Sequence, residues 1–175
     1  MTAGRKINTL STDWCTPTKY VDLINIFFNG NINLDPCSNK ESIVNAELEY
    51  IYPINNGLID SWDYKNIFVN PPYGRDKENH TTIKNWIKRC WETNLINKSE
   101  VLALIPVATN TSHWKEYIFG QATGVCFLYD TRLKFRIENS EINKGCPMAC
   151  CLVYWGDNYS HFVNIFHNSG HCVLL

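Results

Sequence analysis

The chain has 175 residues and a net charge of −1, from 16 Lys and Arg against 17 Asp and Glu. That length fits one domain, residues 1–175, and the balance excludes a histone-like protein held to nucleic acid by bulk positive charge. At 45% hydrophobic and 13% aromatic residues it is globular rather than disordered, and no apolar run approaches bilayer-spanning length.

Met1-Thr2-Ala3-Gly4-Arg5-Lys6 opens a polar stretch without a signal-peptide core, so a cytoplasmic protein with no membrane partner is expected. The first helix is expected to begin at Thr16-Pro17, with Thr16 as cap and Pro17 at the first helical position. Val21, Ile24, Phe27 and Phe28 follow at helical spacing, and Asn29-Gly30 ends the helix. Ile32-Asn33-Leu34 is a short strand candidate ending at Asp35-Pro36, and residues 39–49 suit a short helix. Ile67-Phe68-Val69 is an apolar strand running into Asn70-Pro71-Pro72-Tyr73-Gly74. Ile83, Trp86, Ile87, Cys90 and Trp91 make a helical stripe. Val101–Ile105 has the length and composition of a buried strand. Residues 111–120 read as helix, and 124–129, 132–137, 148–155 and 161–166 as strands. Strands alternating with helices, then hairpins, predict an α/β fold whose sheet is mostly parallel with an antiparallel edge.

Most of the eight cysteines lie in apolar runs, where free thiols pack as small hydrophobes. Without a secretory signal, reduced core thiols are favoured over a disulfide framework. No Cys-x-x-Cys pair occurs, so no metal site is expected.

Ligands of open α/β sheets bind beyond the carboxyl ends of the strands. That rule points to Asp35-Pro36-Cys37, to Asn70-Pro71-Pro72-Tyr73 and to Pro106-Val107-Ala108-Thr109. The second is the most informative. Two prolines fix φ and remove two donors, and Asn70 before proline is held extended. The result is a stiff loop of carbonyl acceptors beside an aromatic ring, suited to a planar amine. The bland alternative is a tight turn after a buried strand.

Asp13-Trp14-Cys15-Thr16-Pro17, Leu34-Asp35-Pro36-Cys37-Ser38, Asn56-Gly57-Leu58 with Trp62, the Asn70–Gly74 loop, Leu104-Ile105-Pro106 with Thr109, Thr111 and Trp114, and Arg132-Leu133-Lys134-Phe135 occur in this order. In this set the chain resembles the amino-methyltransferases that use S-adenosyl-L-methionine, and most closely the phage-type DNA N6-adenine methyltransferases. The resemblance implies a Rossmann-like fold with helices on both sheet faces, and a phage or prophage source acting inside a host cell. It also implies that Asn70, Pro71, Pro72 and Tyr73 form the catalytic loop. Thr16, Pro17, Asp35 and Pro36 then line the cofactor pocket, unless Thr16 only caps its helix and Asp35 is a solvated turn residue. Asn56 stands where the family usually has an acid reading the cofactor adenine. Asn56-Gly57 is equally a turn pair, and Asp60 is the nearby acidic alternative. Trp62 suits either the cofactor or the core. The family's more general glycine-rich cofactor loop is missing after the first strand.

An exocyclic amine is a poor nucleophile, because its lone pair is delocalised into the ring. Acceptors at Asn70 Oδ1 and the Pro71 carbonyl would hold its two hydrogens and favour a pyramidal nitrogen, with Tyr73 stacked on an extruded base. The same acceptors would serve cytosine N4, RNA or a protein glutamine, and a non-catalytic relative is a further alternative. Cys37 sits where a cofactor loop belongs, which argues against C5-cytosine chemistry. Arg132, Lys134 and Arg136 alternate with Leu133, Phe135 and Ile137. On a strand this gives a basic face for DNA phosphates, extended by Arg75 and Lys77, with Lys84, Lys88 and Arg89 as further cations. The alternative is an ordinary solvated strand face.

Overall fold

A computed structural model describes residues 14–76, 79–137, 140–141, 146 and 148–175, with only the backbone of 136–137 and 140–141. Helix α1 (Thr18–Phe27) buries Tyr20, Val21, Ile24 and Phe27 on one stripe, the amphipathic spacing that turns one face to a core. Pro17 is its extended N-cap, and no side chain caps the helix. The expected capping role of Thr16 is therefore corrected, and its hydroxyl is engaged elsewhere. Asn29 and Gly30 take φ of 53° and 73° and close the C-terminus, where the Gly30 N–H meets the Asn25 carbonyl at 2.7 Å.

Four parallel strands follow: β1 (Leu34–Ser38), β2 (Leu48–Ile51), β3 (Asn66–Val69) and β4 (Glu100–Pro106). They lie in the order β2-β1-β3-β4. β1 starts where the expected strand ends, so Asp35 and Pro36 lie within it. The β1–β2 register shifts between Asp35 and Ser38, the irregularity expected of a proline with no N–H to give. The expected helix at 39–49 is absent. Asn39 Oδ1 accepts the Glu41 N–H and Ser42 Oγ accepts the Val44 N–H, local turns that compete with helix.

Helix α2 (Ile83–Asn97) crosses from β3 to β4, its start fixed by a Thr82 N–H bond to Asn85 Oδ1 at 2.9 Å. Helix α3 (Ser112–Tyr117) leads to β5 (Gly124–Leu128). A two-stranded ribbon, β6 (Arg136–Ile137) and β7 (Ser140–Glu141), precedes β8 (Cys150–Trp155), α4 (Tyr159–Phe166) and β9 (Gly170–Leu174). The seven-stranded sheet continues β4-β8-β5-β9, antiparallel at every step. Its parallel start and antiparallel C-terminal edge match the expected arrangement.

The last third holds three departures. Residues 159–166 are helical rather than a strand: Asn158 Oδ1 accepts the His161 N–H, and Phe162 and Phe166 share one buried face. The four-residue spacing of the two rings is a helical signal that their apolar neighbours obscured. Strand β9 was not expected. Residues 132–135 form no strand, although the Leu133 carbonyl accepts the Cys146 N–H at 2.7 Å, and the expected alternation still holds: Leu133 and Phe135 are buried while Arg132 and Lys134 are exposed.

Alternate residues of β4 face opposite ways. Leu102 and Leu104 pack with the buried faces of α1 and α4. Val101, Ala103 and Ile105 pack with those of α2 and α3. All eight cysteines are free thiols, six of them buried.

Candidate active site at the strand ends

The carboxyl ends of β1 and β4 flank that of β3, which leads directly into Asn70. The Asn70 side chain donates from Nδ2 to the Thr16 hydroxyl at 3.1 Å and to the Trp14 carbonyl at 3.4 Å. A carbonyl only accepts, so the group facing Trp14 must be the NH2. The amide orientation follows from that. Both side-chain bonds leave from nitrogen, and Oδ1 remains the acceptor. Pro71 is buried and Pro72 exposed. Tyr73 is half-buried and donates its hydroxyl to the Leu104 carbonyl at 3.1 Å. Burial holds its phenol well above the usual range, so it stays a neutral donor. Its ring meets Phe135 edge-on at 5.9 Å, and Phe135 stacks on Trp14 at 5.2 Å.

Beside Asn70 lies a cavity of about 10 Å³ lined by Thr16, Asp35, Ser38, Asn39 and Ser42 among others, room for about one water. Asp35 is 3% exposed and accepts the Cys37 N–H at 3.1 Å. Burial pushes its carboxyl up to about 7, opposed by the Cys37 N–H and assisted by the charge of Glu49. Glu49 is its register partner on β2. Ser38 Oγ and Glu49 Oε1 are buried without a hydrogen-bond partner. This corner is thus rich in acceptors and carries no counter-charge of its own among the described residues, an environment complementary to a cation.

Asn56 and Asp60 form a closed turn. Asn56 Oδ1 accepts the Leu58 N–H at 3.0 Å, and Asp60 Oδ2 accepts the Asn56 N–H at 2.9 Å. Gly57 presses on β1: a Cβ there would sit 1.8 Å from the Pro36 carbonyl oxygen. Only glycine fits, and the turn is thereby held against the end of the Asp35 strand. Trp62 belongs to the core, 3% exposed, with its indole N–H on the Gly57 carbonyl at 2.8 Å. A larger cavity, about 540 Å³, runs along α2 past Leu58, Trp62 and Arg89 and shares no residue with the strand-end cavity. Its guanidinium is already used on the Leu58 and Asp60 carbonyls and over the Trp62 ring. The smaller cavity is the one that Asn70 and Asp35 line.

The family model described as DNA N-6-adenine-methyltransferase (Dam) matches residues 5–165. The chain belongs to this family. It is a DNA N6-adenine methyltransferase, and its substrate class is DNA. No curated protein and no solved structure matches it significantly. Among the described residues, no helix is long and apolar enough to cross a membrane.

The cations expected to meet DNA lie in different settings. Arg75 is exposed just after the loop. Arg132 and Lys134 are exposed on the segment whose Phe135 touches both Trp14 and Tyr73. Arg136 follows in β6, with its side chain outside the described residues, as are Asp13 and Lys77. The helix cations are occupied: Lys84 pairs with Glu116 at 2.8 Å and Lys88 with Glu92 at 3.4 Å. Sequence reasoning missed the grip of Trp14 and Thr16 on Asn70, the contact of Phe135 with the loop, and Glu49 beside Asp35. The motif Asp13–Pro17 signalled the first only as part of a pattern. The motif Arg132–Phe135 signalled the second in the same way, and nothing in the sequence signalled Glu49 beside Asp35.

Proposed function

We propose that the chain transfers a methyl group from S-adenosyl-L-methionine to the N6 amine of an adenine flipped out of DNA, at the Asn70–Tyr73 loop. The domain is read as residues 1–175 in a Rossmann-like methyltransferase fold. The orientation of the Asn70 amide carries the reading: with Nδ2 engaged by Trp14 and Thr16, Oδ1 is the atom available to an incoming amine.

Asn70 Oδ1 and the Pro71 carbonyl would each accept one N6 hydrogen. Holding both hydrogens draws the nitrogen toward pyramidal geometry and localises its lone pair. The fixed acceptors need no reorganisation as positive charge develops on nitrogen. Pro72 offers an exposed apolar surface without a donor. Tyr73, fixed through its hydroxyl, offers a ring to the extruded base. After transfer the extra N6 proton leaves to water, so no covalent nucleophile is required.

When bound, S-adenosyl-L-methionine supplies an electrophilic methyl group. Thr16, Pro17, Asp35 and Pro36 would line its site, with the Asn56–Asp60 turn as the flanking wall. The acceptor-rich corner at Asp35, Ser38 and Glu49 suits a cationic ligand. At about 10 Å³ the cavity would have to widen to admit it. Arg75, Arg132, Lys134 and Arg136 would bind phosphates, which position DNA without reading sequence.

The test is transfer of labelled methyl to DNA, RNA and protein, followed by mapping of the modified bases. Label at N6 of adenine in DNA is expected. Label confined to cytosine N4, RNA or protein would refute the reading, and so would absence of label with a folded enzyme.

A further inference from the structure

We propose that Phe135 is a positioning residue that couples DNA-backbone contact at Arg132 and Lys134 to the setting of the Asn70 side chain. The inference rests on the reading that Asn70 holds the amine. Phe135 is 1% exposed, and its ring is stacked on Trp14 and edge-on to Tyr73. Those two residues hold the loop from both sides. The Trp14 carbonyl takes one Asn70 hydrogen, and the Tyr73 hydroxyl ties the far end of the loop to Leu104. One buried ring therefore touches both fasteners.

The neighbours of that ring point the other way. Lys134 is exposed immediately before Phe135, and Arg132 is exposed beyond the buried Leu133. Among the described residues the segment is in no strand at 132–135; the Cys146 N–H bonds the Leu133 carbonyl at 2.7 Å, and the buried Leu133 and Phe135 side chains anchor it inward. A phosphate drawing on Lys134 acts one residue from the ring, and packed side chains pass displacement on rather than absorb it. Phosphate contact is thereby felt at Trp14, and through the Trp14 carbonyl at the Asn70 amide. DNA engagement thereby reinforces the acceptor geometry that Trp14 and Thr16 already hold.

The test is a double-mutant cycle between Lys134→Ala and Phe135→Leu, read as DNA affinity and as single-turnover methyl transfer at saturating DNA and cofactor. In the parent, Lys134→Ala is expected to weaken DNA binding and also to slow transfer about 5-fold. With Phe135→Leu, the loss in affinity persists while the loss in rate shrinks below about 2-fold. Phe135→Tyr keeps the ring and restores the rate effect of Lys134→Ala. Should Phe135→Leu not fold, Trp14→Leu removes the same stack from a half-exposed position. Equal rate losses in both backgrounds would overturn the coupling while leaving the Asn70 reading intact. Absence of adenine methylation by the parent enzyme would overturn that reading, and the coupling with it.

Discussion

Asn56 and Asn70 are the same residue in comparable places, each in a loop near a strand end, yet the fold uses them oppositely. Asn56 spends its side-chain oxygen on the Leu58 N–H, and its backbone N–H on the Asp60 carboxylate. Asn70 spends its nitrogen on Trp14 and Thr16 and keeps its oxygen. The first arrangement closes a turn. The second leaves an acceptor beside the pocket. An asparagine becomes a candidate for chemistry through the bonds it has already made, more than through its motif.

The widest separation between the two is expected from alanine. Asn70→Ala should lower the single-turnover rate at least about 100-fold, the scale of losing one preorganised polar contact to the reacting group. Fold and cofactor affinity should remain close to the parent. Asn56→Ala should leave the rate within about 3-fold and lower stability by about 1 kcal/mol, the typical worth of one hydrogen bond. Rapid-quench assays alongside thermal melts check both. Equal rate losses at the two positions would erase the distinction.

A finer test keeps Asn70 and removes what orients it. Thr16→Val keeps the shape and deletes the acceptor for Nδ2, so the amide can turn. About a 10-fold loss of rate is expected, corresponding to roughly 1.4 kcal/mol. Thr16→Ser restores the hydroxyl and should recover most of the rate. If Thr16 served only to line the cofactor pocket, Val would raise the cofactor KM and spare the rate.

How far the sequence disclosed this division is itself instructive. The Asn70–Tyr73 loop was legible because its prolines dictate backbone geometry locally. Strands β3 and β4 were legible because buried strands are continuous apolar runs. Asp35 was legible as a strand-end acid but not as a strand residue, since its place depends on pairing between β2 and β3. The α4 helix was misread because Phe162, Val163, Ile165 and Phe166 are apolar on adjacent positions, and only the Asn158 cap breaks the tie. The clasp of Phe135 on Trp14 joins residues 121 positions apart in sequence, far beyond any local pattern.

Asp35 extends the comparison from hydrogen bonds to charge. Its folded pKa of about 7 stands above the ordinary aspartate value of about 3.9. The folded state therefore holds the proton more tightly than the unfolded state. Stability falls as pH rises from about 4 to about 7, and the full cost applies above that window. Asp35→Asn keeps an oxygen for the Cys37 N–H and removes the charge. It should raise the melting temperature at about pH 8 and lose that advantage near pH 4. Its affinity for a cationic cofactor should drop about 10-fold at pH 8 and less at pH 6, where the parent aspartate is itself mostly protonated. A melting temperature unchanged at every pH would mean the carboxylate is solvated, and would detach it from the pocket.

The smallest expected effect belongs to the exposed cations, and its form matters more than its size. Arg132 and Lys134 are exposed on a segment whose Leu133 and Phe135 are buried. If each meets a phosphate, Arg132→Ala and Lys134→Ala should each weaken DNA binding a few-fold and lower the salt-dependence slope by about 1. The loss should be uniform across DNA sequences, because phosphates carry no base information. Fluorescence anisotropy over a salt series gives both slope and affinity. An unchanged slope would place these cations on a merely solvated face. DNA contact would then have to be sought elsewhere, first at Arg75, exposed just after the loop.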